Sequence, residues 1–511
     1  MSFSDWNFIV YFLPAVILLF YIVPGKLKNL ILFTASAVFY YMNVKSAPVQ
    51  MIFFILTILM DFYLGWTIYS YNEEERINLL NAGGGAGSKP VHSKIAKRLL
   101  IVGIILHVLS LCIFKYSGFI IEEINKASGS SLVVSILQPL GISFFTFQGI
   151  SYLADVYMGR TAASGSLLKF SVYMLSFEQV IQGPIVRYGE VSNELKDKKK
   201  LSAGCFFTGL AEFVFGLGLK VIISNHIGKL WMEVKTIGFE TIPVSLAWLG
   251  VVAYSFQLLF DFWGYSQMSI GLGRMLGFNI PVNFDYPYLS KTMSDFWRRW
   301  HMTLGRFFRD YIYIPMGGSR VGKFRLILNL FTVWFLTGIW HGAGYNFMIW
   351  GIGLFVIICL EKFVYGRFLE NSKVIGHIYM IILIPLSWAV FAVEDFTQLG
   401  LLFGKLFPFF GGAPAGDVAN VANAANAAYG LTEAAAEAAV EGAAASSFMT
   451  VFPKYAVYLV LSIIFCFRFP EKLFKMIKSN IVKGIILAAI FALCMISVYN
   501  GTGDTFMYAR F

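Results

Sequence analysis

The sequence predicts an all-α protein that crosses a membrane many times, and three observations support this fold class. Hydrophobic residues make up 58% of the 511 residues and charged residues only 14%, whereas a soluble domain carries roughly 25% charged residues because its surface faces water. Apolar runs long enough to span a bilayer as helices recur from one end of the chain to the other. A membrane β-barrel is excluded because runs such as 8–23 and 485–498 do not alternate between polar and apolar positions.

We expect about eleven to thirteen transmembrane helices, several of them interrupted. Segments 138–141 and 182–184 place glycine and proline at membrane depth, where a break is tolerated only if the backbone is buried in protein or lines a cavity. These breaks predict re-entrant or tilted helices around a chamber. The first run lacks the basic start and the cleavage site of a signal peptide, so we expect it to be retained as a helix. The candidate spans are 8–23, 29–44, 49–71, 99–118, 133–158, 166–183, 203–224, 241–272, 326–343, 345–361, 374–393, 454–467 and 485–499.

A single membrane domain is expected over residues 1–511, with its core at about 100–400. The segment 411–447 is rich in Ala, Asn, Gly and Glu and has no Lys or Arg, which predicts a low-complexity extracytoplasmic loop. It is interpreted either as a mobile loop or as a docking element for a partner.

The charge distribution predicts the orientation and excludes some partners. The net charge of +11 is explained by the excess of Lys and Arg on cytoplasmic loops, which places the N-terminus outside. Nucleic-acid binding is excluded because nucleic-acid-binding proteins are not this apolar. The five cysteines stand singly in apolar stretches without a Cys/His cluster, so neither a metal site nor a disulfide framework is expected.

Residues 291–325 interleave cations with aromatic side chains. One interpretation is an amphipathic helix on the inner leaflet. The other is a cationic mouth that attracts an anionic donor, such as a phosphate-bearing thioester carrier. The cations are Lys291, Arg298, Arg299, Arg306, Arg309, Arg320, Lys323 and Arg325.

His341 ends the apolar run 326–340. An ionisable residue in this setting costs free energy and faces a cavity or a partner, and histidine exchanges protons near neutral pH. A lone histidine in a membrane helix is more often a packing residue. The neighbouring Trp340, Gly342 and Trp350, and the cationic mouth with His301, favour a functional role.

Several motifs occur in order along the chain, at 139–144, 183–188, 260–266, 296–301, 309–318 and 340–343. In this order they resemble the membrane-bound O-acyltransferase (MBOAT) superfamily, and specifically its bacterial alginate O-acetylation branch, over roughly residues 1–400. The segment 411–447 departs from the family pattern.

The resemblance implies a ring of helices around a tunnel, with an acyl thioester offered from the cytoplasm and a hydroxyl acceptor from outside. The resemblance places His341 at the position of the family's signature histidine, which implies that it acts as general base on the acceptor oxygen. General-base catalysis typically raises a reaction rate by about 10²–10⁴-fold. His301 falls on the second catalytic position and is expected to polarise the donor carbonyl or to stabilise the oxyanion. Arg187 is interpreted as a contact to donor phosphate or lipid headgroups, and Asp261 as a structural acceptor or an orienter of a histidine. The residues expected at the substrates are Arg298, Arg299, Trp300, Trp340, Asp310, Arg187 and Asp261.

The expected function is transfer of an acetyl group from acetyl-CoA to hydroxyls of an extracytoplasmic polysaccharide, in the plasma membrane of a bacterium and surrounded by membrane lipids. Transfer is expected either directly or through an extracytoplasmic esterase-like acetyltransferase partner, and no bound cofactor is expected. Two alternatives remain open. One is D-alanyl transfer to teichoic acid, and the other, from a different class, is a polysaccharide or small-molecule transporter, which broken helices and buried charges would serve equally well.

Overall fold

The computed structural model describes residues 1–81, 92–133, 136–196, 202–410, 433–502 and 507. Within these ranges every regular element is a helix, which confirms the all-α prediction. Residues 411–432, most of the predicted loop 411–447, lie outside the described residues, and the backbone is helical from Glu433 onward.

The helices are numbered here in chain order. The first nine are α1 Phe8–Ile22, α2 Lys28–Val44, α3 Val49–Asn81, α4 Lys94–Ser128, α5 Ile142–Tyr157, α6 Leu167–Leu175, α7 Tyr188–Val191, α8 Ala203–Ile237 and α9 Val244–Met275. The next nine are α10 Met293–Arg299, α11 Met302–Phe308, α12 Lys323–His341, α13 Tyr345–Asn371, α14 Ile375–Ala392, α15 Phe396–Leu406, α16 Glu433–Phe465, α17 Phe469–Met476 and α18 Asn480–Gly501.

Nine helices of the described chain are long and apolar enough to cross a membrane. They are α3, α4, α8, α9, α12, α13, α14, the Phe448–Phe465 part of α16, and α18. The other four candidate spans, 8–23, 29–44, 133–158 and 166–183, fold as shorter helices. The last of these contains only the nine residues of α6, which extend about 14 Å and cannot cross the hydrocarbon core.

The two predicted breaks lie against each other in the interior. Gly141 adopts φ +75°, a conformation that favours glycine, and α5 begins directly after it. A Cβ at this position would lie 2.3 Å from the carbonyl oxygen of Val180, so the backbones of the two broken segments are in direct contact. The breaks therefore belong to irregular backbone that is buried in protein, as membrane depth requires.

Close helix packing around the core depends on paired glycines. Gly216 of α8 faces Gly264 of α9, and a Cβ on either would lie within 2.7 Å of the other's carbonyl oxygen. The same approach joins Gly338 of α12 to α13, where a Cβ would lie 2.5 Å from the carbonyl oxygen of Phe347. Small residues allow such backbone contact in membrane helices, and the α12–α13 contact fixes the helix that carries His341.

Candidate active site

His341 is the last residue of α12, and its side chain is buried among aromatic rings. Its ring centroid lies 4.8 Å from that of Trp340, 5.2 Å from that of Trp350 and 5.3 Å from that of Phe391. All three rings meet it edge to face. Only 2% of the residue is exposed, so any reaction at the imidazole takes place in surroundings of low polarity.

His301 lies in the turn between α10 and α11, and its backbone conformation is strained. It adopts φ +43° and ψ +51°, a left-handed conformation that is rare for a residue with a side chain and concentrates at functional sites. The residue is 1% exposed. The turn that contains His301 is outside the membrane-spanning helices. Burial lowers the pKa of the His301 imidazole to about 3, so this imidazole is neutral at physiological pH.

Asn283 determines which nitrogen of His301 carries the proton. Its side-chain oxygen accepts hydrogen bonds from the backbone N–H of Thr303 at 3.1 Å and from the Thr303 hydroxyl at 2.8 Å. Nδ1 of His301 lies 3.1 Å from the same oxygen and must therefore donate to it. In this tautomer Nε2 is a lone-pair acceptor, and it has no hydrogen-bond partner among the described residues.

Trp340 links the two histidines, which are 40 positions apart in the sequence. Its ring centroid lies 6.2 Å from that of His301 and 4.8 Å from that of His341. On its other side it stacks on Phe147 of α5 at 5.2 Å. The structure thus brings the two predicted catalytic residues to the same aromatic side chain.

Two cavities lie at opposite ends of α13 and come close to His341 from different sides. The first, here called the arginine-lined cavity, has a volume of about 600 Å³ and reaches His301 and Thr337, one helical turn before His341. Cations are in excess on its charged wall, which consists of Arg298, Arg309, Lys362, Arg367, Glu361 and Glu370.

The second cavity, here called the glutamate-lined cavity, has a volume of about 610 Å³ and reaches Gly342 and Ala343, the two residues directly after His341. Its charged wall consists of Lys115, Glu122, Glu123, Lys126, Glu394 and Asp395. His341 therefore lies in the partition between two chambers of different charge.

The Trp-Arg-Arg-Trp part of the 296–301 motif is divided between different environments. Arg298 lines the arginine-lined cavity. Arg299 instead pairs with Asp295 at 2.9 Å and lies 3.8 Å from Asp285. Trp300 is fully buried against Trp388, with ring centroids 5.0 Å apart. Of these three residues, only Arg298 lines one of the two cavities described above.

Arg187 and Asp310 bind each other. A guanidinium nitrogen of Arg187 lies 2.7 Å from one carboxylate oxygen of Asp310, and the other carboxylate oxygen accepts a hydrogen bond from Arg309 at 2.6 Å. Burial favours the neutral form of Asp310, but the hydrogen bonds from Arg309 and Arg187 outweigh it and lower the pKa of this carboxyl. The pair joins the 183–188 motif to the 309–318 motif and lines neither of the two cavities described above.

Asp261 lies on α9 in a buried ion pair with Lys220 of α8. Its second carboxylate oxygen accepts a hydrogen bond from the backbone N–H of Met507 at 3.0 Å. Both of these contacts, which lie within the described residues, are those of a structural hydrogen-bond acceptor, one of the two interpretations of Asp261 given by the sequence.

Three further groups were not expected from the sequence. Asn283 orients His301. Glu361 accepts hydrogen bonds from the backbone N–H groups of Met293 and Ser294 at the start of α10. Lys115 contacts the end of α12. Only Lys115 could have been found from the sequence, because it is a single cation inside the apolar run 99–118.

Comparisons with known proteins identify the family of the chain. The model of the membrane-bound O-acyltransferase (MBOAT) family matches residues 98–372. A probable alginate O-acetylase AlgI from Pseudomonas syringae pv. tomato is 35% identical over 422 residues, which cover 80% of this chain and 76% of that protein. The peptidoglycan O-acetyltransferase of Helicobacter pylori is 32% identical over 389 residues, 69% of this chain and 68% of its own length. The teichoic acid D-alanyltransferase of Bacillus subtilis is 30% identical over 239 residues, 45% and 60% of the two chains.

The chain therefore belongs to the MBOAT family. It is a multi-pass membrane O-acyltransferase, which confirms the enzyme class expected from the sequence. The match to the D-alanyltransferase covers less of the chain than the matches to the O-acetyltransferases.

Proposed function

We propose that this O-acyltransferase moves an acetyl group from a cytoplasmic thioester, acetyl-CoA, to hydroxyls of an extracytoplasmic polysaccharide. The names of the relatives with the greatest coverage support an acetyl group and a polysaccharide acceptor. The observation that carries the proposal is the position of His341 between two cavities that lie at opposite ends of α13.

The arginine-lined cavity is the proposed donor site. Acetyl-CoA carries several phosphate charges, and Arg298, Arg309, Lys362 and Arg367 line this cavity. The apolar part of the wall contains Leu304, Phe308, Val333 and Trp334, which suit an uncharged pantetheine arm. Arginine binds phosphate through paired N–H groups, so a donor without phosphates is expected to bind much more weakly.

The reaction is an acyl transfer from sulfur to oxygen. The acceptor hydroxyl oxygen attacks the thioester carbonyl carbon while His341 takes the hydroxyl proton as general base. The new C–O bond forms, the C–S bond breaks, and the proton from His341 goes to the departing thiolate. The buried aromatic surroundings of the imidazole exclude water, which would otherwise hydrolyse the thioester.

The tautomer of His301 supports a different role from the one expected from the sequence. With its proton on Nδ1, the neutral ring offers a lone pair at Nε2 and cannot donate to a carbonyl oxygen from that atom. We propose that Nε2 instead accepts a hydrogen bond from a substrate group or from the protonated partner histidine. Both histidines remain proposed catalytic residues.

The orientation follows from charge. The arginine-lined cavity and the Lys- and Arg-rich segments 291–325 and 362–373 are placed on the cytoplasmic side of the bacterial plasma membrane. The N-terminus and the glutamate-lined cavity then face outward. The acceptor enters this outer cavity either as the polysaccharide itself or as an esterase-like partner that completes transfer.

Purified protein in lipid nanodiscs, supplied with acetyl-CoA labelled in the acetyl group, tests the proposal. We expect His341→Ala and His301→Ala to lose transfer to added polysaccharide by about 10²-fold or more. His377→Ala is the matched control, because His377 lies near the start of α14 and lines neither of the two cavities described above. Wild-type transfer by His341→Ala would refute the assignment.

The alternatives give different outcomes in the same assay. A D-alanyltransferase would leave acetyl-CoA unused and would require a D-alanyl thioester. A transporter would move glycan across sealed vesicles without consuming a thioester, and this movement would not depend on His341.

A further inference from the structure

A lysine in the middle of α4 reaches the end of the helix that carries His341. Lys115 lies in the apolar stretch of α4, and its side chain also lines the glutamate-lined cavity. A charge within a membrane-spanning helix costs free energy and is kept where it has a partner or a function. Among the described residues, the hydrogen-bond partners of the Lys115 side chain are backbone carbonyl oxygens.

The ammonium group donates to two consecutive carbonyl oxygens at the end of α12. Nζ lies 2.5 Å from the carbonyl oxygen of Trp340 and 3.1 Å from that of His341. The next residue along α4, Tyr116, donates its hydroxyl to the carbonyl oxygen of Ile339 at 2.5 Å. Two adjacent side chains thus bind three consecutive carbonyls, including that of His341 itself.

These carbonyls require partners because the last turn of a helix has no following N–H groups to satisfy it. Many helices solve this problem with a left-handed glycine after the last residue. Gly342 is extended instead, with φ −168° and ψ 159°, so α12 lacks this cap. A cation at this end also matches the negative end of the helix dipole.

We propose that Lys115 is a positioning residue that, together with Tyr116, holds the end of α12 and thereby fixes the imidazole of His341 between the two cavities. This inference rests on the proposed catalytic role of His341. The Lys115 ammonium is attached to a different helix, so it ties the reacting imidazole to α4 and to the wall of the outer cavity. Its effect is on the placement of His341 and not on donor binding.

Kinetics of Lys115→Met test the proposal, because methionine keeps the unbranched stem and removes the charge. We expect kcat for acetyl transfer to fall by about 10- to 100-fold, the effect of a small displacement of a reacting group. KM for acetyl-CoA is expected to stay within twofold of wild type, because Lys115 does not line the donor cavity described above. Lys115→Arg retains the charge and is expected to recover most of the lost rate.

Lys97→Met is the matched control. Lys97 lies near the start of the same helix, is exposed, and lines neither of the two cavities described above. Its kcat is expected to be unchanged. If Lys115→Met does not accumulate as folded protein, Tyr116→Phe removes a single hydroxyl from the same helix end and is expected to lower kcat by about threefold to tenfold.

Either of two results would overturn the inference. Folded Lys115→Met with a kcat within twofold of wild type, or an unchanged Tyr116→Phe where the methionine variant cannot be isolated, would show that the helix end needs no such support. If His341→Ala keeps its activity, the proposed function fails as well. Loss of activity in His341→Ala together with a normal Lys115→Met refutes the positioning role alone.

Discussion

Replacing Asn283 with alanine removes the acceptor that places the proton of His301 on Nδ1. The Asn283 side chain is fully buried, and its oxygen accepts from His301 and twice from Thr303. In Asn283→Ala, the imidazole N–H and the Thr303 backbone N–H lose their acceptor. Each buried unsatisfied donor costs about 1–3 kcal/mol, so we expect the two together to lower the free energy of unfolding by about 2–6 kcal/mol.

The same substitution removes the group that favours the Nδ1-protonated tautomer of His301, so both neutral tautomers become populated. We expect kcat/KM for acetyl transfer to fall by about 10- to 100-fold, as is usual when a functional histidine loses the partner that orients it. Asn283→Asp keeps the acceptor and is expected to retain more activity than the alanine variant. Its carboxylate favours the protonated imidazole and raises the pKa of His301, so the acidic limb of its pH profile is expected to move to higher pH.

The assay is acetyl transfer in nanodiscs between pH 5 and 9, with thermal unfolding measured on the same samples. Ser266→Ala is the matched control, because it removes only the acceptor of the Asn283 side-chain N–H at 3.1 Å and leaves the contact to His301 intact. We expect a loss of about 1 kcal/mol in stability and activity within threefold of wild type. The reasoning is refuted if Asn283→Ala is destabilised as expected but keeps the wild-type rate and pH profile.

Three further predictions concern the framework of the site. A Cβ at Gly351 would lie 2.6 Å from the carbonyl oxygen of Trp334, so Gly351→Leu is expected to destabilise the protein and to lower activity. The control is Gly353→Leu, which is expected to leave the melting temperature unchanged because the Cβ there meets open space. Glu361→Gln is expected to lower the free energy of unfolding by about 1–3 kcal/mol. The carboxylate accepts hydrogen bonds from two N–H groups of α10, and an amide N–H₂ group cannot accept the bond that it would face. Equal melting temperatures of variant and wild type would contradict this. The lowered pKa of Asp310 means that its contribution to stability is present above the ordinary carboxyl pKa and is lost as the pH falls through the lowered value. Asp310→Asn should therefore lose less stability than wild type on acidification, and parallel acid-unfolding curves would disprove the assignment.

The sequence predicted the helix that ends at His341 because an apolar run is interrupted there by glycine. The predicted bounds 326–343 agree with Lys323–His341 within three residues at each end. It predicted the break at 182–184 but not that the irregular backbone already begins at residue 176. Apolar composition describes a lipid-facing helix and a buried irregular segment equally well, and nearly every residue of 176–186 is buried in protein.

The orientation of His301 could not be predicted, because it depends on contacts between distant segments. Its left-handed backbone is rare for a residue with a side chain. Its acceptor, Asn283, precedes it by 18 positions, outside the recognisable 296–301 motif. Sequence patterns identify residue types at fixed spacing, whereas the tautomer of a histidine is set by whichever group lies opposite its ring nitrogen.

The 296–301 motif shows why a motif identifies a site better than it assigns roles. Consecutive residues of a helix point about 100° apart, so neighbours in the motif enter different environments. Arg298 reaches the arginine-lined cavity, Arg299 binds Asp295, and Trp300 packs on Trp388. A substitution at any of these positions is expected to lower activity. Only Arg298→Ala is expected to act through KM for the donor, because Arg299 and Trp300 act through the position of the turn that holds His301.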